Sequence, residues 1–322
     1  MKTLKRLPVA ARRLWVLFVL LLAQVWVGTL STGCAPGTPT ESDGKLQVVA
    51  TTGMIADLAR QVGGGRVQVH GLMGPGVDPH LYKATAADVE RLGRARLVLF
   101  NGLHLEARLA DVFAHLPNAR SVALAEDLPG VELLRDPDGQ APDPHLWFDV
   151  EAWSRVARRL GDELASADPA GADEYRARAG ELEARLLALH HEVLEQVGRL
   201  PRERRILVTA HDAFQYFGRA YGFEVRGLQG ISTAAETGAA DVAALARMLA
   251  ERRVPALFVE SSVPHRTVEA VLEAARALGH EARLGGELYS DALGGADGPA
   301  GTYEGMVRSN VATILAALED KP

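Results

Sequence analysis

The sequence predicts an α/β protein of two lobes with parallel-type sheets flanked by helices, joined by one long helical strut. Three observations predict this. Short β-type runs alternate with amphipathic helical stretches in two separate blocks, the pattern of parallel strands covered on both faces. A stretch between the blocks, rich in Ala, Leu, Glu and Arg, has one apolar stripe and no internal Pro. At about 150 residues per domain, a chain of 322 residues is long enough for two cores.

Residues 1–33 stand outside that fold. Their five charges, Lys2, Lys5, Arg6, Arg12 and Arg13, are all positive and precede an apolar run from Leu14 to Leu30, which ends in Ser31-Thr32-Gly33. A basic start, an apolar middle and small residues at the end describe a signal peptide; the alternative is a retained membrane anchor. Cys34, the one cysteine, follows directly. Leu30-Ser31-Thr32-Gly33-Cys34 resembles a lipobox, with Leu30 four residues before the Cys instead of three, so Cys34 is the expected lipidation site. Residues 34–45, polar and turn-forming, read as a tether. The expected location is extracytoplasmic, in the periplasm or on the cell surface, with the chain held to the bacterial membrane by lipid.

The N-terminal lobe is expected over residues 46–169. Leu46 to Thr51, Arg66 to Met73 and Arg96 to Phe100 read as strands, Met54 to Val62 and Thr85 to Leu92 as helices. A linking helix is expected over 170–200, where Tyr175, Ala179, Leu182, Leu186, Leu189, Val193 and Val197 recur at steps of three or four between Asp168-Pro169 and Pro201. About 30 residues would give a rod about 45 Å long. In the C-terminal lobe, 201–322, Ile206 to Thr209, Ala256 to Glu260 and Ala282 to Leu284 read as strands, Ala213 to Tyr221 and Arg266 to Leu278 as helices.

Composition narrows the chemistry. With 35 basic and 41 acidic residues the net charge is −6, which argues against nucleic acid as a partner. Cleavage before Cys34 leaves 30 basic residues against 41 acidic, a charge of −11. One Cys forms neither an internal disulfide nor a thiolate zinc site, so bound chemistry must use nitrogen and oxygen donors. Ten His are available.

Two of them sit in a repeated string, Asp78-Pro79-His80-Leu81-Tyr82 and Asp143-Pro144-His145-Leu146-Trp147. Pro restricts itself and its predecessor, leaving the His on a stiff loop, where coordination sacrifices less freedom. Each Asp could accept the second ring N–H of a nearby imidazole. One such string would be an ordinary turn; two favour a shared site. His211 follows a buried-type strand at its carboxyl end, where open α/β sheets bind ligands, and Asp212 beside it reads as a helix cap. For a carboxylate, spacing leaves Glu260, Glu287, Asp291 and Asp297 open. His70, His115, His190, His191 and His280 read as surface or packing residues, and the same reading is preferred for His104 and His265.

The run Tyr216 to Glu236, with Phe258-Val259-Glu260-Ser261-Ser262-Val263, Asn101-Gly102-Leu103-His104-Leu105-Glu106 and Gly301-Thr302-Tyr303-Glu304-Gly305-Met306, resembles the TroA-like zinc and manganese solute-binding proteins of ABC importers. The resemblance covers Leu46 to the end. It implies the cluster A-I solute-binding architecture, a metal buried between the lobes, and His80, His145, His211 and Asp291 as ligands, with Glu260 behind them. It also implies a permease and its ATPase as partners of a monomer.

Three imidazoles and a carboxylate suit Zn²⁺ and, with a bidentate Asp291, Mn²⁺ or Fe²⁺. His211 tilts toward Zn²⁺, because Mn²⁺-dedicated relatives tend to have Glu there; a stretch from Glu126 to Pro144 without His tilts the other way. Release is expected to involve a small tilt and a rearrangement at Asp291. The rival readings are an extracytoplasmic zinc-dependent hydrolase, against which no His-Glu-X-X-His or Gly-X-Ser-X-Gly string is present, and a metal-dependent adhesin.

Overall fold

The structure, a computed structural model, describes residues 44–116, 119–136, 139–235 and 237–319. The signal peptide, Cys34 and nearly all of the tether lie outside these residues. Among the described residues no helix is long and apolar enough to cross a membrane, and residues 45–319 pack as one compact unit.

The first sheet holds β1 (Leu46–Ala50), β2 (Val67–Gly71), β3 (Leu97–Phe100) and β4 (Arg120–Ala123). All pairings are parallel, in the order β2-β1-β3-β4. Strand alternation sends Val48, Ala50, Leu97 and Leu99 into the main core, while Val49 and Val98 face a smaller cluster with Leu92 and Ala95. Both faces are therefore buried, as a parallel sheet requires. Helices α1 (Gly53–Gly63), α2 (Ala86–Arg94) and α3 (Ala110–Ala114) connect these strands. Thr52 caps α1, and Thr85 with Asp88 forms a capping box on α2.

An 18-residue helix, α4 (Val150–Ala167), follows, capped by Asp149, which accepts the Ala152 N–H; the sequence reading passed over it. The long helix, α5, spans Ala172–Gly198, 27 residues, about 40 Å. Its buried residues are the seven of the predicted stripe. It starts later than expected because Pro169–Gly171 form a 3₁₀ turn, and Asp168 instead accepts from Arg66 Nε and the Tyr175 hydroxyl. Helices α4 and α5 pack closely at Gly161, where a Cβ would meet that of Ala179 at 2.5 Å.

The second half carries β5 (Ile206–His211), α6 (Gln215–Tyr221), β6 (Glu224–Gln229), α7 (Ala239–Arg252), β7 (Ala256–Glu260), α8 (Arg266–Ala277), β8 (Arg283–Leu288) and α9 (Tyr303–Glu319). β5 pairs with β6 and β7 with β8, both parallel, and β5 runs beside β7. One continuous core runs from Val48 through the α5 stripe to Phe214, Phe258 and Ile314, while a second core lies under α7 and α8.

Three local expectations are corrected. His211 is the last residue of β5 rather than the residue after it. Helix α6 begins at Gln215, and Asp212 does not cap it; its carboxylate accepts from Gln215 Nε2 at 2.7 Å. β8 runs on to Leu288, past the expected end at Leu284, so Glu287 lies in a strand. Gly285-Gly286 hid this: they sit against a register shift in β7, where a Cβ on Gly285 would meet the Phe258 ring at 2.6 Å.

Candidate metal centre

All these strands are parallel within their pairs, so their carboxyl ends gather side chains from distant parts of the chain. His80 lies between β2 and α2, His145 between β4 and α4, His211 ends β5 and Asp291 follows β8. The four converge, with one donor atom of each within 4.8 Å of the others. His80 Nε2 and His145 Nε2 are 3.3 Å apart. Asp291 Oδ2 lies 3.3 Å from His211 Nε2 and 3.7 Å from His80 Nε2, and its Oδ1 lies 3.5 Å from His145 Nε2. His145 and His211 are fully buried, Asp291 is 2% exposed and His80 is 5% exposed.

The repeated string builds the same turn twice. Asp78 Oδ1 accepts the His80 backbone N–H at 2.8 Å, and Asp143 Oδ1 accepts that of His145 at 2.9 Å. Beyond the turn the copies diverge. Asp143 Oδ1 also takes the ring Nδ1–H of His145 at 2.7 Å, whereas Asp78 turns its other oxygen to the Thr233 hydroxyl at 2.6 Å. The expectation of an Asp behind an imidazole therefore holds for Asp143, and Asp78 does something else. His211 has its own support: Glu260 Oε1 accepts its backbone N–H at 2.8 Å and Oε2 lies 2.5 Å from its Nδ1.

This arrangement fits a divalent cation. Asp291, Asp143 and Glu260 are buried carboxylates around one point, a costly grouping without positive charge among them. Both oxygens of Asp291 are buried without a hydrogen-bond donor. Burial opposes a charge on His211, but Glu260 and Asp291 outweigh it and raise its pKa. Burial likewise works to raise that of Asp291, and the imidazoles, His211 foremost, overcome it and hold the group ionised. His80 is pushed down to about 3 by burial, with its two imidazole neighbours adding to the effect against the pull of Asp291. A metal-binding imidazole must be unprotonated, so a cation competes with the proton that Glu260 and Asp291 favour on His211.

The remaining carboxylates and histidines lie elsewhere. Glu287 is exposed and pairs with His265 at 3.6 Å, and Asp297 is exposed. His190 meets the Tyr221 hydroxyl, while His115 and His280 bond the backbone carbonyls of Asp111 and Val254. His70, His104 and His191 are exposed.

Several positioning residues escaped the sequence reading because their partners are far away in the chain. Trp147 Nε1–H donates to the Ser290 carbonyl, beside Asp291, at 3.0 Å. Asn310 accepts the Tyr289 N–H and donates to its carbonyl. Leu293 packs against Gly53 at the start of α1, so the Asp291 loop is docked on the first half as well as on its own. Asn101 Nδ2 donates to the Pro144 carbonyl. Buried Glu106 accepts from the Thr51 hydroxyl and from the N–H groups of Asn101 and Gly102, holding a turn in which Gly102, Leu103 and His104 all have positive φ.

Comparison with known proteins gives the family. Residues 48–317 match the zinc-uptake complex component A periplasmic family, ZnuA. The chain belongs to the ZnuA family. Among ZnuA-type relatives, it is 50% identical over 278 residues to the zinc-binding protein TroA of Treponema pallidum, covering 86% of this chain and 90% of that one. It is 44% identical over 302 residues to the manganese-binding lipoprotein MntA of Bacillus subtilis, covering 93% and 99%. The solved structure of the periplasmic zinc binding protein TroA from Treponema pallidum matches with a TM-score of 0.83 over 85% of this chain and 99% of that one. These relatives thus include proteins named for zinc and for manganese, two of the three metals expected from the donor set.

Proposed function

We propose that this chain is an extracytoplasmic binding protein that captures Zn²⁺ or Mn²⁺ as cargo through His80, His145, His211 and Asp291 and delivers it to an ABC permease. Two lobes, 46–169 and 201–322, hold the site between them, and the segment 170–200, whose helical part is α5 (Ala172–Gly198), links them. Residues 1–33 act as the signal peptide, Cys34 carries the lipid and residues 34–45 form the tether of a monomer. The observation that carries the reading is the meeting of three imidazole nitrogens around the donor-free carboxylate of Asp291. The match to a zinc-uptake family supports the transport role, and the names of TroA and MntA leave the choice of metal to affinity and supply; the Irving-Williams order favours Zn²⁺ in vitro.

The hydrolase reading is disfavoured. A catalytic zinc keeps a coordination position for water, and four protein ligands fill a tetrahedral shell. The test is metal analysis of the purified chain and of His211→Ala. One bound divalent ion per wild-type chain, lost in the variant, supports the proposal, and retention of the metal by His211→Ala contradicts it.

A further inference from the structure

The contacts around the four ligands are unevenly distributed. Around His145 and Asp291, the two halves are tied by buried groups: Trp147 Nε1–H to the Ser290 carbonyl, the Tyr216 hydroxyl to the Asp143 carbonyl at 3.1 Å, and the Tyr303 hydroxyl to the Trp147 carbonyl at 2.7 Å. The Phe148 and Phe214 rings stack at 4.1 Å beside them. On the His80 side, what joins the halves is lighter. The Thr233 hydroxyl, only partly buried in the loop after β6, donates to Asp78 Oδ2. Nearby, Gly76 comes close to the turn after β7, where a Cβ would sit 3.3 Å from the Ser261 carbonyl. His80 is also the most exposed of the four, and Leu81 beside it is 41% exposed.

We propose that metal exchanges through the mouth beside His80, and that the Thr233 hydroxyl is its latch. Asp78 makes the connection direct, because one oxygen holds the His80 backbone and the other holds Thr233. Breaking the Thr233 bond frees the turn that aims His80, so a ligand is loosened as the mouth opens. The loop that must move first is then the His80 loop, rather than the Asp291 loop, which Trp147, Asn310 and Leu293 anchor. Thr233 is a positioning residue here: it acts on the metal through Asp78 and His80.

This inference rests on the metal-site reading above. The test is stopped-flow release of Zn²⁺ from the full mature chain into excess chelator, for wild type, Thr233→Val, Thr233→Ser and Trp147→Phe. Thr233→Val keeps the shape and removes the donor, and should speed release about tenfold, as loss of one hydrogen bond to a carboxylate implies. Thr233→Ser keeps the hydroxyl and should restore the wild-type rate, which a purely steric role would not. Trp147→Phe should speed release less than Thr233→Val does. A metal-holding wild type whose release rate changes less than twofold in Thr233→Val overturns the latch alone, as does faster release from Trp147→Phe than from Thr233→Val. A wild type that holds no Zn²⁺ overturns the metal-site reading and the latch with it.

Discussion

Asp143 grips His145 twice through a single oxygen, accepting its backbone N–H at 2.9 Å and its ring Nδ1–H at 2.7 Å. The imidazole is thereby fixed in rotation and in tautomer, with the lone pair of Nε2 aimed at Asp291. Glu260 supports His211 with both of its oxygens, Oε1 on the backbone N–H and Oε2 on the ring Nδ1. Groups of this kind raise ligand basicity and keep the ring from turning away.

Removing their charge while keeping their shape should weaken binding without abolishing it. Asp143→Asn and Glu260→Gln are each expected to lower Zn²⁺ affinity about 10- to 100-fold, measured by competition against a chelator of known affinity. Unchanged affinity in both variants would show that the carboxylates serve only the apo fold.

Glu106 gives a pH signature. Burial raises its pKa above the usual 4.5, against the opposing hydrogen bonds from Asn101, Thr51 and Gly102. The folded chain thus binds this proton more tightly than the unfolded chain does. The resulting stability is fully present below 4.5 and is lost as pH rises through the folded value. Glu106→Gln removes that dependence, and it leaves an N–H donor crowded by an amide, costing about 1–3 kcal/mol. Urea unfolding of the metal-free chain should therefore show a larger deficit for Glu106→Gln at pH 5 than at pH 7.5. A deficit that grows with pH would contradict the assignment.

The apolar stripe of α5 invites a paired comparison. Leu186 is fully buried, and Leu187 beside it is 36% exposed. Leu186→Ala should cost about 2–5 kcal/mol, the range for a leucine lost from a packed core, and Leu187→Ala much less. Equal losses in thermal unfolding would mean that the helix does not bury the face described.

Much of the fold was legible where periodicity carries the signal. The α5 stripe needed only residue spacing, β3 is an uninterrupted apolar run, and β1 and β7 each carry a single polar residue, Gln47 and Glu260. Helix α4 was passed over although Asp149 caps it, and β8 was cut short because two glycines broke the apolar pattern that a bulge accommodates. At the site, the two Asp-Pro-His strings and the strand before His211 pointed to three imidazoles. The carboxylate could not be chosen by spacing, since Asp291 is defined by where Trp147, Asn310 and Gly53 hold its loop. The Thr233 to Asp78 bond spans 155 residues, and nothing local in either segment announces it.

The central claim is that His80, His145, His211 and Asp291 hold one cation. The most direct measurement is a crystal structure of the zinc-loaded chain with anomalous scattering recorded at the zinc edge. One strong peak is expected about 2.0–2.2 Å from Nε2 of each of the three imidazoles and from an Asp291 oxygen. A peak at other residues, or a loaded crystal with none between these four, would contradict it.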